Sequence, residues 1–382
     1  MLHIKNSGEW FFMLSKLKSV FNLFYKKDND FIDITKYGED QYQDIIINNV
    51  VVKKANCDHN ENQLRYKIIQ KILDQYERPF EMLDIGAGQG YYSFRAAHDY
   101  DCVCVMIEGN NLSHPKVGSQ LLDLCKANFS LDNIILLNKQ VIPEDLKKLS
   151  ECESFDVVLS LNIIQRYGPR WKEVADSILA MGNNAIIEIP PQEDHASKDE
   201  NALRKTIEEY LVSKNAKILG EVPRHSSNKA YKIYLVTTVK NKLARKQWLT
   251  PVGNFAHLMI DSNFKAKTIT KRLPHFSELQ VNDWQPGINL MTFLMYNGAY
   301  PSRKQIKVAI KKIVGQVNND WTVNNMILQG NKLILIDWGD PTHGLDSGRR
   351  STPRVIKSHL RLVSLKDPVK IERYFYNRLI KT

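Results

Sequence analysis

Short apolar runs recur along residues 80–189, separated by stretches in which apolar positions return with helical period. Phe80 to Ile85, Asp101 to Ile107, Asn133 to Leu137, Phe155 to Leu161 and Ala185 to Ile189 are each too short for a helix and carry almost no polar residue. Uninterrupted apolar strands alternating with helices predict a parallel sheet covered on both faces. Helices are expected over residues 60–77, 118–128 and 199–214, and an antiparallel hairpin around Lys217 to Glu221 and Tyr231 to Thr237 closes the pattern.

The first apolar run ends in Asp84 and continues through Gly86, Gly88 and Gly90 into aromatic residues that open a helix. Only glycine lets a backbone turn this tightly against a ligand. The spacing is G-x-G-x-G, not the G-x-G-x-x-G of dinucleotide sites, whose third glycine packs helix on strand beside a pyrophosphate. Glu108 follows the second run, eighteen residues after Gly90. A carboxylate there can accept both hydroxyls of a ribose.

The segment F-E-M-L-D-I-G-A-G-Q-G with the acid at Glu108 resembles motif I and its partner acid in the class I S-adenosylmethionine (SAM) methyltransferases. The resemblance implies a Rossmann-like sheet that binds SAM through Asp84, Gly86, Gly88, Gly90 and Glu108. Two positions depart from the family. Asn138, Lys139 and Gln140 stand where an acid often meets the adenine, and Gln165 and Arg166 stand where many relatives carry paired histidines. The remaining candidates for a general base are Glu188, at the end of the fourth run in the series that began with Phe80, and His225 in the polar turn P-R-H-S-S-N-K. A salt-bridged Glu188 and a solvated hairpin turn are the plainer readings of both.

Charge separates the chain into unlike parts. The net charge of +11 conceals 24 Lys and Arg against 9 Asp and Glu in residues 239–382, whereas residues 1–238 are slightly acidic. The basic part is expected to face acidic partners. Five cysteines without a C-x-x-C pair argue against a zinc or disulfide framework and fit a reducing cytosol. Residues 10–27 place Lys18, Ser19 and Lys26 opposite a face of aromatics and leucines. That helix is too short and interrupted to span a bilayer and reads either as lying in the inner membrane interface or as packed on the protein's own surface.

Past Lys240, the segment N-N-D-W-T-V-N-N-M-I-L-Q-G-N-K-L-I-L-I-D-W-G-D carries Asp320, Asn325 and Asp337. In phosphoryl transfer one Asp orients a hydroxyl while an Asn and a second Asp hold metal ions. The pattern resembles the catalytic core of the kinase-like fold, which implies ATP and magnesium, the metal held by Asn325 and Asp337. Asn318 replaces the usual His and no glycine-rich phosphate loop precedes it, so a silent, truncated module is the reading preferred over a working kinase.

The expected organisation is an N-terminal helix and connector over 1–49, an α/β methyltransferase domain over 50–238 and a smaller α+β kinase-like domain over 239–382. That order resembles the bifunctional enzymes that terminate bacterial O-antigen chains, and it implies a methyl acceptor on a phosphorylated or lipid-linked cell-envelope glycan. Two alternatives stay open. One is an RNA methyltransferase whose basic part binds phosphates, with the arginines and aromatics of residues 348–382 as a stacking surface. The other is a scaffold whose kinase-like part binds without chemistry.

Overall fold

The computed structural model describes residues 41–55, 61–77, 79–110, 115–191, 197–223, 229–238, 255–260, 265–271, 280–283, 286–314, 326–335, 357 and 360–375. Met1–Glu39 and Asp40–Thr382 form separate units, and everything described belongs to the second.

A short hairpin of β1 (Ile45–Ile47) and β2 (Val50–Lys53) precedes α1 (Glu61–Leu73). The alternating pattern then gives β3 (Phe80–Ile85), α2 (Tyr91–Asp99), β4 (Cys102–Glu108), α3 (Val117–Ala127), β5 (Ile134–Asn138), α4 (Pro143–Cys152) and β6 (Phe155–Leu161). A 3-10 turn over Ile164–Arg170 leads to α5 (Trp171–Met181), β7 (Gly182–Ile189), α6 (Lys198–Ser213) and the hairpin β8 (Lys217–Pro223) and β9 (Ala230–Thr237). Beyond it lie a three-stranded antiparallel meander, β10 (Phe255–Ile260), β11 (Lys265–Lys271) and β12 (Gln280–Asp283), then β13 (Ile288–Asn289), α7 (Leu290–Met295), β14 (Gly298–Tyr300), α8 (Arg303–Val314), β15 (Met326–Gln329), β16 (Lys332–Leu335) and α9 (Pro368–Phe375).

The main sheet runs β14-β5-β4-β3-β6-β7-β9-β8, with β5 through β7 parallel and β14, β9 and β8 antiparallel to their neighbours. This is the Rossmann-like α/β sheet expected from the sequence. Its chain order reverses between β3 and β6, and in open sheets ligands bind outside the carboxyl ends of the strands at such a point. Burial on both faces explains the unbroken apolar strands. Leu83, Ile85, Val105, Ile107, Ile135 and Leu137 share one core cluster, while their neighbours Met82, Cys104, Met106, Ile134 and Leu136 are equally buried on the other face.

The segment after residue 286 returns to this sheet. β14 adds an edge strand to β5, with Gly298 opposite Leu137 and Tyr300 opposite Leu136. Leu290, Phe293, Leu294, Ile306, Met326 and Ile371 join the same cluster as Leu83 and Ile85. Two buried carboxylates from the N-terminal half anchor the return. Glu81 accepts from the Gly287 amide at 2.7 Å, and Glu153 accepts from the Asn289 amide at 2.9 Å and the Thr292 hydroxyl at 2.5 Å. The expected boundary at residue 238 therefore coincides with the end of β9, while later residues complete the edge and cover one face of the first sheet.

Candidate active site

At the end of β3 the chain turns through Gly86, Gly88 and Gly90, all left-handed, with φ of +75°, +61° and +76°. The amides of Gly86 and Ala87 donate to the Ile107 carbonyl, tying the loop to the end of β4. A Cβ on Gly88 would lie 2.1 Å from the Tyr42 hydroxyl, so even the smallest side chain would displace what covers the loop. Gly90 is the N-cap of α2 and has no side chain to offer. The missing cap comes from far away in sequence: the Gln43 side-chain oxygen accepts from the amides of Gln89 at 3.0 Å and Tyr91 at 3.2 Å.

Glu108 ends β4 facing this loop. One carboxylate oxygen accepts from the Gly88 amide at 2.9 Å and the other from the Gly109 amide at 3.0 Å. Two amides leave lone pairs on both oxygens, so a diol can still be bound. Burial pushes the Glu108 carboxyl up, opposed by those amide bonds and by Arg166. Gly109 has its own reason for lacking a side chain, since a Cβ would stand 2.1 Å from the backbone nitrogen of Gln140. Asp84 lies beneath the loop, buried, and accepts from the Ser93 hydroxyl at 2.8 Å. Burial pushes its carboxyl up to about 7, with the Ser93 bond opposing and Glu108 adding to the rise.

These residues line a cavity of about 840 Å³ at the carboxyl ends of the parallel strands. Its wall opposite the glycine loop is built by α1. Arg65 donates through Nε to Glu188 at 2.6 Å and through Nη1 to Glu61 at 3.1 Å, and its guanidinium lies 4.9 Å from the centre of the Tyr231 ring. Glu188 and its neighbouring positive charge hold Arg65 firmly protonated. Asn162, left-handed at φ +61°, donates to the second oxygen of Glu188. The Asn62 side chain donates to the Tyr42 carbonyl and accepts from the Tyr92 hydroxyl, joining α1 to the strap over the loop.

The sequence candidates are thus distributed unevenly. Asp84, Gly86 and Glu108 line the cavity, and Gly88 and Gly90 shape the loop above it. Glu188, read as a base facing a substrate, is fully buried behind Arg65 with both oxygens engaged, so it serves the wall and does not reach the cavity. Lys139, from the stretch where the family's adenine acid is missing, pairs with Asp145 at 2.7 Å and lines the cavity with Gln140. His225, Asp320, Asn325 and Asp337 lie outside the described residues, as does the segment 10–27. Among the described residues no group of three His, Cys, Asp or Glu side chains could hold a metal ion, and no helix is long and apolar enough to cross a membrane.

Sequence reasoning did not single out Tyr42, Gln43, Arg65 or Asn162. Residues 28–49 read as an acidic connector, yet Gln41, Gln43 and Ile45 to Ile47 are buried. Glu61 and Arg65 were visible as an i, i+4 pair on a helix, but the decisive partner, Glu188, is 123 residues away.

No family model matches the chain, and no curated protein matches it. Among solved structures, the bifunctional kinase-methyltransferase WbdD is similar at 14% identity over 80% of this chain and 78% of that one, with a TM-score of 0.35. A 2.2 Å crystal structure of WbdD gives 14% identity over 81% and 79%, with a TM-score of 0.36. The SAM-bound magnesium protoporphyrin IX methyltransferase ChlM from Synechocystis PCC 6803 gives 14% identity over 47% of this chain and 80% of that one, with a TM-score of 0.34. At this identity and these scores the likenesses carry no functional conclusion.

Proposed function

We propose that the chain is a SAM-dependent methyltransferase. One observation carries this reading: three left-handed glycines face a carboxylate, Glu108, that the loop's own amide at Gly88 fixes in place, at the mouth of a large cavity at the sheet's switch point. The residues fit the cofactor. The glycine loop offers a backbone surface without side chains, Glu108 offers acceptors for a ribose diol, and Asp84 offers a buried acid beside a ligand that carries positive charge. The cofactor supplies a methyl group on a positively charged sulfur.

The chain's own part is alignment and exclusion of water. Tyr42 and Gln43 cover the loop and are themselves fastened to α1 and α2. Arg65, locked by Glu61 and Glu188, presents a fixed cation on the opposite wall. The end of the cavity nearest β6 and β7 is lined by Asn162, Gln165, Arg166, Pro190, Arg204 and Tyr231. That set contains cations and amides and no carboxylate or histidine. It suits an acceptor oxygen that is already ionised, which needs no base, better than a neutral hydroxyl. A phosphate on a cell-envelope glycan meets that requirement, and the motif resemblance and the basic C-terminal part support it. Phosphoryl transfer to the same glycan, using ATP and magnesium at Asp320, Asn325 and Asp337, belongs to that resemblance.

Calorimetric titration with SAM tests the reading. Wild type should bind and Gly88→Arg should not, because the new side chain fills the loop's open face. Absence of binding to the wild type refutes it. A parallel titration with ATP and magnesium, compared with Asp337→Ala, decides the nucleotide reading separately.

A further inference from the structure

Behind the acceptor end of the main cavity lies a second one of about 300 Å³, and the two share Pro190 and Arg204 in their walls. Its lining is charged in one direction: Arg204 from α6, Lys229 before β9 and Lys232 within it stand around a single carboxylate, Glu208. Three elements that are distant in sequence converge here. Pairing of β7 with β9 sets Ile189 opposite Lys232, and α6 lies across their ends.

The arrangement is built. The Arg204 guanidinium donates to the Pro191 carbonyl at 2.6 Å, which fixes it at the junction of the two cavities. Lys232 pairs with Glu208 at 2.7 Å, and the Tyr234 hydroxyl also donates to that carboxylate. Burial works against ionisation of Glu208, but the Lys232 and Tyr234 bonds prevail and hold its carboxyl below the ordinary range, so it stays charged at neutral pH. One carboxylate therefore faces three cations. Like charges gathered around a space this small repel one another unless an anion joins them.

We propose that this second cavity is an acceptor subsite that binds an anionic group, phosphate or carboxylate, belonging to the acceptor but remote from the atom that is methylated. The inference rests on the methyltransferase reading for what occupies the main cavity. It adds that the acceptor is long enough to pass Arg204 and is charged at its far portion. Arg204 then discriminates between acceptors, since it touches both cavities.

The test is calorimetric titration of the full chain at low ionic strength, in a buffer without phosphate, with pyrophosphate, glucuronate and glucose as probes, each with and without S-adenosylhomocysteine (SAH). The two anions distinguish a phosphate site from a carboxylate site, and glucose is the neutral reference. At least one anion should bind wild type, and its affinity should fall with added salt. Lys229→Glu, a change at an exposed side chain, should weaken it at least tenfold while leaving SAH affinity unchanged. Glu208→Gln, which removes the one opposing charge and keeps a hydrogen-bonding group, should strengthen it several-fold, an effect that mere damage to the fold would not produce. Anion binding no tighter than glucose, or an affinity unmoved by Lys229→Glu, overturns the proposal. Failure of SAH to bind the wild type would instead strike the methyltransferase reading, and the anion titrations would still be read on their own.

Discussion

Asp84→Asn should stabilise the ligand-free protein, and more so at higher pH. Asp84 is 2% exposed, its only named partner is the Ser93 hydroxyl, and burial raises its carboxyl from 3.8 to about 7. A raised carboxyl means that the folded state holds a proton which the unfolded state has already lost. Stability is therefore greatest below about pH 4 and declines as pH rises toward 7. At 1.36 kcal/mol per pH unit, the full penalty is roughly 4 kcal/mol above pH 7. Part of it, roughly 1.5 kcal/mol, is already present at pH 5, so the group costs about 2–3 kcal/mol more at pH 8 than at pH 5. Asparagine has the shape of the protonated acid and does not titrate. Urea denaturation of both proteins at pH 5 and pH 8 should show the variant's advantage widening by about 2–3 kcal/mol across that interval. A gap that is constant, or that closes at pH 8, would mean that Asp84 is ionised with an ordinary affinity for protons in the fold, and the linkage argument would fail. The same variant should bind SAM more weakly, because a cationic ligand favours the ionised carboxylate it has lost; isothermal titration gives both numbers.

Arg65→Ala leaves Glu188 ionised and fully buried with Asn162 as its remaining named partner, and should cost about 3–5 kcal/mol in denaturation experiments. The double variant Arg65→Ala/Glu188→Ala should lose less than the sum of the two singles, since no uncompensated charge remains; strict additivity would refute the ion pair. Glu108→Ala should weaken SAM at least tenfold, about 1.4 kcal/mol, while changing thermal stability less than Arg65→Ala does. Gly109→Ala should destabilise by about 1–3 kcal/mol, because its Cβ meets the Gln140 backbone and not a movable side-chain end, and a melting temperature equal to wild type would contradict that packing. Glu153→Ala should detach α7, leaving the Asn289 amide without its acceptor, and hydrogen exchange over residues 288–295 should rise ahead of exchange in β3.

The sequence by itself determined the sheet and the cofactor loop. Apolar runs of five to eight residues can be nothing but buried strands when helices separate them, and the glycines at 86, 88 and 90 state their backbone requirement locally. Glu108 was legible for the same reason, because a strand's end is a place the pattern marks. What only the tertiary structure decided are the pairings that cross the chain. The Gln43 oxygen caps a helix 48 residues away, Arg65 turns Glu188 from a candidate base into a wall residue, and Glu81 and Glu153 hold a segment more than 130 residues beyond them. None of these leaves a periodic trace. Propensity and hydrophobic period report what a residue does with its neighbours in sequence, whereas a buried carboxylate is satisfied by whichever donor the fold delivers. The basic character of residues 239–382 was plain from composition, yet strand β14 and the core residues of that region complete the first sheet. Edge strands and covering faces are chosen by what is left exposed once the sheet has formed, and that surface does not exist until the chain has folded.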